Sequence, residues 1–319
     1  MVILNNKSNV QSKKTEMKSY LFTHFFDGED KPECEQVYFS ISKDGINWEA
    51  LNKEKPVLIS ELGEKGVRDP HIIRSPEGDK FYLVATDLSI YHNNDWTRAQ
   101  TMGSKSIMVW ESSDLVNWSN QRMVKVAMND AGCTWAPESI FDKDTGEYMM
   151  FWASKVESDN YLKQRIYSSK TIDFMHFTEP QIYIEKENNI IDTTFIEQGG
   201  KYYRFSKDET FSSIIMEVSE TLMGTFTPIN SFTMLNVKGY EGPICYKLND
   251  QEKWCLLLDA FATNQGYKAF MTDDLSTGNF VEISSEFNTP YKFRHGTVIP
   301  ITEEEYNTLK EAYGKEMQV

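Results

Sequence analysis

Residues 294–302 read RHGTVIPIT, and this short stretch decides the fold. It is the opening of a longer unit that stands complete four times upstream, as RDPHIIRSPEGDKFYLVATD (68–87), WAPESIFDKDTGEYMMFWAS (135–154), IDTTFIEQGGKYYRFSKD (191–208) and EGPICYKLNDQEKWCLLLD (241–259). Each copy runs from a polar or acidic residue through small residues or Pro to an apolar pair, then a turn, then an aromatic strand. The turns PEGDK, DKDTGE, EQGGK and LNDQEK have the Gly, Asp and Asn chemistry of hairpins. The copy at 294–302 has no module after it.

A second unit interleaves with the first. It is a Ser/Thr-x-Asp turn that leads to an aromatic: SKDGINW (42–48), SSDLVNW (112–118) and TIDFMHF (171–177), with looser copies SETLMGTF (219–226) and TDDLSTGNF (272–280). Asp and Ser close such turns with local side-chain hydrogen bonds. The first series starts at 69, 136, 192, 241 and 295, and the aromatics of the second fall at 48, 118, 177, 226 and 280. The two sets advance in nearly equal steps, so one module of four strands repeats five times. Modules of about 50 residues predict an all-β five-bladed β-propeller. The N-terminal module lacks a first strand, and RHGTVIPIT is a first strand that lacks a module. Pairing the two closes the ring and protects the edges that an open array would expose.

This reading divides the chain into a polar N-terminal arm (1–16), a single propeller (17–302) and a short C-terminal helix (303–319), for which Thr302 and Glu305 form a capping box. The 319 residues, which by length alone allow two domains, are then one ring. The formal charge of −15 disfavours nucleic acid and acidic membranes and carries no penalty for a neutral substrate. No apolar run reaches the roughly 18 residues of a transmembrane helix. The opening MVILNNKSNVQSKK does not read as a signal peptide, which gives a cytoplasmic expectation unless a leader was trimmed. Cys34, Cys133, Cys245 and Cys255 form no C-x-x-C pair, so a zinc site is not expected, and Cys245 and Cys255 could face each other across a hairpin. Nothing in the sequence sets the oligomeric state.

In a propeller the first strand of every blade lies nearest the axis, and all run the same way. Their starts meet on one face. Here they bring together Asp69, Trp135 to Glu138, Asp192, Glu241 and His295. Carboxylates brought together raise one another's pKa, which lets an acid and a base coexist near neutral pH. Strand 2–3 loops reach the same face. The long one, 87–105, offers Tyr91, Trp96 and Arg98, and Lys207, Asp208 and Glu209 stand at the rim end of a strand. Trp135 either stacks on a sugar ring or packs in the core. Arg68 and Arg294 either bind hydroxyls or form structural ion pairs.

RDPHII with Asp69, WAPESIF, IIDTTFI with Asp192, YEGPICYK with Glu241 and RHGTVIPI with His295 together resemble glycoside hydrolase family 43, over residues 18–302. The resemblance implies an inverting glycosidase that removes arabinofuranosyl or xylosyl units from plant-type hemicellulose or its oligosaccharides. It makes Asp69 the general base, Glu241 the general acid and Asp192 the residue that tunes Glu241. Acid and base would stand about 6.5–9.5 Å apart to admit a water. Substrate contacts are expected from Trp135, Glu138, Arg294, Arg68, Tyr91, Trp96 and Asp208. Thr193 stands where members of the family often carry Pro. No cofactor is required for this chemistry. In the family this region often hosts a calcium ion bound through water, and His295 would stand beside it, or else serve as a hydrogen-bonded core histidine. Alternatives are an endo-acting xylanase or arabinanase, a non-catalytic carbohydrate-binding propeller, and a phosphorolytic enzyme, which would need a basic phosphate pocket. A sialidase would need an arginine cluster beyond Arg68 and Arg294.

Overall fold

The computed structural model describes residues 16–26 and 28–314. The polar arm expected at 1–16 falls almost wholly outside them. Among these described residues, twenty strands form five four-stranded antiparallel sheets. The second blade holds β4 (Val67–Arg74), β5 (Phe81–Asp87), β6 (Ser106–Ser112) and β7 (Arg122–Lys125). The third holds β8 (Trp135–Asp142), β9 (Glu147–Ser154), β10 (Arg165–Thr171) and β11 (Gln181–Ile184). The fourth holds β12 (Ile190–Gln198), β13 (Lys201–Asp208), β14 (Ser213–Ser219) and β15 (Thr227–Pro228). The fifth holds β16 (Glu241–Lys247), β17 (Trp254–Asp259), β18 (Tyr267–Thr272) and β19 (Val281–Glu282). The first blade takes β1 (Met17–Phe26), β2 (Tyr38–Ser42) and β3 (Trp48–Ala50) from the N-terminal side and β20 (Phe293–Thr302) from the C-terminal side. β20 pairs antiparallel with β1, with Thr23 opposite Thr297 and Leu21 opposite Ile299. The protein is an all-β five-bladed propeller closed by its last strand.

Five apolar layers lie between neighbouring blades. Leu21 and Phe39 pack on Leu83 and Trp110 between the first two blades. Tyr82 and Val84 pack on Met150 and Trp152 between the next two. Phe151 with Ile190, Phe205 with Trp254, and Tyr246 with Phe22 belong to the other three layers. A middle strand is therefore buried on both faces, which is why WCLLLD and EYMMFWAS read as unbroken apolar runs. Cys245 and Cys255 lie on the paired strands β16 and β17 but belong to layers on opposite faces of that sheet. They are buried free thiols, as are Cys34 and Cys133.

The Ser/Thr-x-Asp turns join the third and fourth strands. Asp44 Oδ1 accepts the backbone N–H groups of Ile46 and Asn47, both at 2.8 Å, while Ser42 Oγ accepts that of Gly45 at 2.9 Å. Asp114 and Asp173 repeat the pattern. A terminal helix α2 (Glu303–Tyr313) starts with Thr302 and Glu305 in a reciprocal capping box. It buries Tyr306 and Leu309 in the layer between the first two blades, and Arg74 grips Glu305 at 2.6 and 2.8 Å. No helix among the described residues is long and apolar enough to cross a membrane.

Candidate active site

All five axial strands break register near their start. Pairing skips between Arg68 and His71, between Trp135 and Glu138, between Ile191 and Thr193 and between Glu241 and Ile244. The β20 pairing shifts at Arg294 to Gly296. Each skip is a bulge that turns one residue out of the ladder toward the axis. At these bulges Asp69, Ala136, Asp192 and Gly242 take φ of 52°, 46°, 46° and 51°. Non-glycine residues pay about 1–3 kcal/mol each for such backbone, so the surrounding fold must hold it. Asp69, Asp192 and His295 occupy the bulge itself. Glu241 stands one place earlier, aligned with Arg68, Trp135, Ile191 and Arg294, and reaches the centre on its longer side chain.

Asp69 Oδ2 accepts the Thr86 hydroxyl at 2.8 Å, and Oδ1 lies 3.3 Å from His295 Nδ1. Thr86 Oγ1 also accepts the Ala136 N–H at 2.9 Å, so one hydroxyl ties Asp69 to the next blade. Burial works to raise the Asp69 pKa, but the His295 hydrogen bond and charge, Arg68 and Thr86 outweigh it and hold the carboxyl below its ordinary value. Asp192 accepts the Gly242 N–H at 3.1 Å and lies 4.0 Å from His295 Nδ1. Burial dominates there and, with help from the Glu241 and Asp69 charges, lifts Asp192 to about 6. For His295 burial opposes the charge, but Asp192, Asp69 and Glu138 win and raise it to about 9. The imidazolium is the shared counter-ion of the axis.

Glu241 differs from the expectation of a carboxyl kept protonated by its neighbours. Its Oε2 lies 2.8 Å from Lys207 Nζ and its Oε1 lies 2.9 Å from Arg294 Nη2. Burial pushes its pKa up, but Lys207, Arg294 and His295 together pull it below the ordinary value. With these cations beside it, Glu241 is held in its ionised form.

These groups line a cleft of about 390 Å³. Trp96 opens the one-and-a-half-turn helix α1 (Trp96–Thr101), capped by Asp95, and meets Trp135 edge to face at 6.1 Å. Arg68 lies between the rings of Phe25, at 4.7 Å, and Trp96, at 5.3 Å, and pairs with Glu29 and Glu35. Arg294 is held from behind by Asp259 at 2.7 Å. Of the residues expected from sequence, Asp69, Asp192, Glu241, Trp135, Trp96, Arg68, Arg294 and His295 meet in this cleft. The other three lie elsewhere. Glu138 is turned along the axis into a cavity of about 480 Å³ with largely aliphatic walls, where burial lifts it to about 8. That cavity is the larger of the two, but it lacks the acid–base cluster. Asp208 accepts Asn188 Nδ2 and the Phe211 N–H and so closes its own loop. Tyr91 is half exposed outside the cleft wall, with its N–H on Glu35. Lys207 and Glu209, which the sequence sets at the rim with Asp208, line the cleft, and so do Phe25, Glu29 and Phe261, which no motif marks.

Residues 15–307 match a family model described as a probable glycosyl hydrolase domain related to glycoside hydrolase family 43. An α-L-arabinofuranosidase of Bifidobacterium longum subsp. longum is 32% identical over 274 residues, 72% of this chain and 25% of that protein. A β-1,2-mannobiose phosphorylase of Thermoanaerobacter is 30% identical over 149 residues, 46% of this chain and 39% of that protein. The chain thus spans a quarter to two fifths of the length of these relatives. Among solved structures, a family-43 enzyme of Bacillus licheniformis superposes with a TM-score of 0.55 at 16% identity, over 91% of this chain and 58% of that one. The catalytic domain of a family-62 α-L-arabinofuranosidase of Coprinopsis cinerea gives 0.51 at 12% identity, over 72% and 70%. At such identities the structures speak for the fold alone.

Proposed function

Because the chain belongs to this glycosyl hydrolase family related to family 43, we propose that it is an inverting, exo-acting glycosidase that releases arabinofuranosyl or xylosyl units from neutral oligosaccharides. The observation that carries this reading is Asp69, held ionised, in one cleft with Asp192 and Glu241. Asp69 takes a proton from water as that water attacks the anomeric carbon. Glu241 gives a proton to the leaving oxygen. Asp192 holds the Gly242 backbone beside it. The edge-to-face Trp96 and Trp135 rings give apolar walls suited to a sugar face. Exo action is supported by the 88–105 loop, which brings Trp96 and Gln100 into the cleft wall and is fixed there by Glu35 and Glu64. The 32% identical relative favours arabinofuranose over xylose.

The test is a panel of aryl glycosides with NMR of the first-formed anomer. Inversion is expected, and retention would refute the mechanism. Asp69→Ala and Glu241→Ala should each lose at least about 10³-fold in kcat on substrates with poor leaving groups while staying folded. Wild-type turnover in either sinks its assignment.

Phosphorolysis is the second reading, favoured by the phosphorylase relative and by Arg68, Lys207 and Arg294 in the cleft. Each of these cations already faces two carboxylates: Glu29 and Glu35, Glu209 and Glu241, Asp259 and Glu241. The cleft is therefore a poor phosphate seat, and turnover should not depend on phosphate. Calcium also suits the axis poorly. The His295 imidazolium supplies the charge that Asp69 and Asp192 need, and would repel a second cation there. A chelator is expected to leave the rate unchanged.

A further inference from the structure

Both oxygens of Glu241 are occupied by cations, Oε1 by Arg294 and Oε2 by Lys207. A general acid must carry its proton on an oxygen that faces the leaving group. Each oxygen keeps a second lone-pair site, but a proton there is repelled by the cation already bound, so withdrawal of one cation favours the acid form, and the two cations are built very differently. Arg294 is bolted at its far side to Asp259, a carboxylate only 1% exposed, through Nε at 2.7 Å. Its planar fork spans the two acids, and Phe25 covers it at 5.6 Å. Lys207 has a flexible stem and a point charge. It already lies 2.6 Å from Glu209, a half-exposed loop residue, and 4.4 Å from the centre of the Phe261 ring on the cleft wall. A second seat for its ammonium stands ready, at the mouth of the cleft.

We propose that Lys207 is a removable counter-cation, which closes Glu241 in the empty cleft and which an incoming glycoside turns toward Glu209 and Phe261, freeing Oε2 to carry the catalytic proton. This rests on the acid role given to Glu241 above. As Lys207 leaves, Glu241 takes one proton from solvent. It passes that proton to the leaving oxygen as the glycosidic bond breaks, and Asp69 accepts the proton lost by the attacking water. One water is consumed and no other reactant is needed. The device keeps the acid silent until a sugar fills the site. The charged and titratable groups that face Glu241 are Lys207 on β13, Glu209 in the loop after it, Asp192 on β12, Asp259 on β17, Tyr267 on β18, and Arg294 and His295 on β20, with Asp69 on β4 beyond them. Of these cations, Lys207 has its other partner on a half-exposed loop, whereas Arg294 has its other partner in the buried Asp259.

The signature is a gap between two pH profiles. The alkaline limb of kcat/KM reports the free enzyme, and that of kcat reports the complex. On methyl α-L-arabinofuranoside, or the xyloside if the panel selects it, the kcat limb should lie about one pH unit or more above the kcat/KM limb. Lys207→Met removes the cation and should raise the kcat/KM limb to meet the kcat limb. The 4-nitrophenyl glycoside, which needs little acid help, should show neither effect. Glu209→Gln, a near-isosteric change in the half-exposed loop after β13, strips Lys207 of its second seat and should move the kcat/KM limb to lower pH. Coincident limbs in the wild type overturn the proposal, as does a gap that survives Lys207→Met or a Glu209→Gln limb that rises. Glu241→Gln with full activity on the methyl glycoside would instead remove the acid assignment and this inference with it. An inactive Glu241→Gln beside an unmoved limb in Lys207→Met removes only the role of Lys207.

Discussion

His295 shows how one side chain organises the site. It is buried and stands 3.3 Å from Asp69 and 4.0 Å from Asp192. Its pKa is raised from 6.5 to about 9, so the stability it contributes is fully present below pH 6.5 and is lost as pH rises through 9. His295→Asn should flatten that decline in a thermal-denaturation series over pH 6.5–9.5 and weaken Asp69 as a base. His24 and His71 have the opposite sign: burial dominates and drops each to about 3. They stay neutral, each bonded through both ring nitrogens, and oppose folding as pH falls below 6.5. Asp69 and Asp192 were legible in the sequence because the repeat put them at equal positions. The sequence sets Lys207, Asp208 and Glu209 together at the rim, and Lys207 rather than Asp208 is the strand residue that faces the cleft, because the bulge at Asp192 shifts the pairing of β12 with β13 by one residue. A strand's phase cannot be read from its own residues when its partner is bulged.

At the scale of elements, the bulges are what turn the starts of five regular strands toward one axial cleft. Asp69 and Asp192 pay for left-handed backbone with function, while Ala136 at φ 46° carries no chemistry of its own. Ala136→Gly should therefore stabilise the fold by up to about 1 kcal/mol, read as a higher urea midpoint with an unchanged slope. The 88–105 loop needs a different explanation. Glu35 is fully buried and accepts from Arg68 Nη1, Ser89 Oγ, Ile90 N–H and Tyr91 N–H. It joins the first blade to the loop that carries Trp96. Glu35→Ala takes the buried one of its two carboxylate partners from Arg68, leaves the Ser89 hydroxyl and two N–H groups without their acceptor, and should cost about 3–5 kcal/mol. Glu35 stands in a short connector with no repeat around it, so nothing in its local sequence marked it. The repeats located the strands and turns for the same reason that they missed such ties: a motif records what recurs, and Glu35, Thr86 and Asp259 each act once.

For the whole molecule the decisive joint is β20 against β1. Gly296 lies so close to that partner that a Cβ would meet the Thr23 carbonyl oxygen at 1.9 Å and His24 Cα at 2.8 Å. Gly296→Ala must push the two strands apart, with a loss of about 2–3 kcal/mol and a lower melting temperature. It should also displace Arg294 and His295, so activity should fall further than stability. A merely local clash would lower stability and spare kcat. The ring as a whole was the most legible feature, because an orphan strand at one end of the chain matched a missing strand at the other.

That joint also sets a clock. During synthesis Asp69, Asp192, Lys207 and Glu241 are all made before Arg294 and His295. A nascent chain that lacks β20 has two axial carboxylates without their shared imidazolium and an acid with one of its two cations. With the roles proposed above, the centre is assembled only when β20 docks, so turnover should not appear before that strand is made.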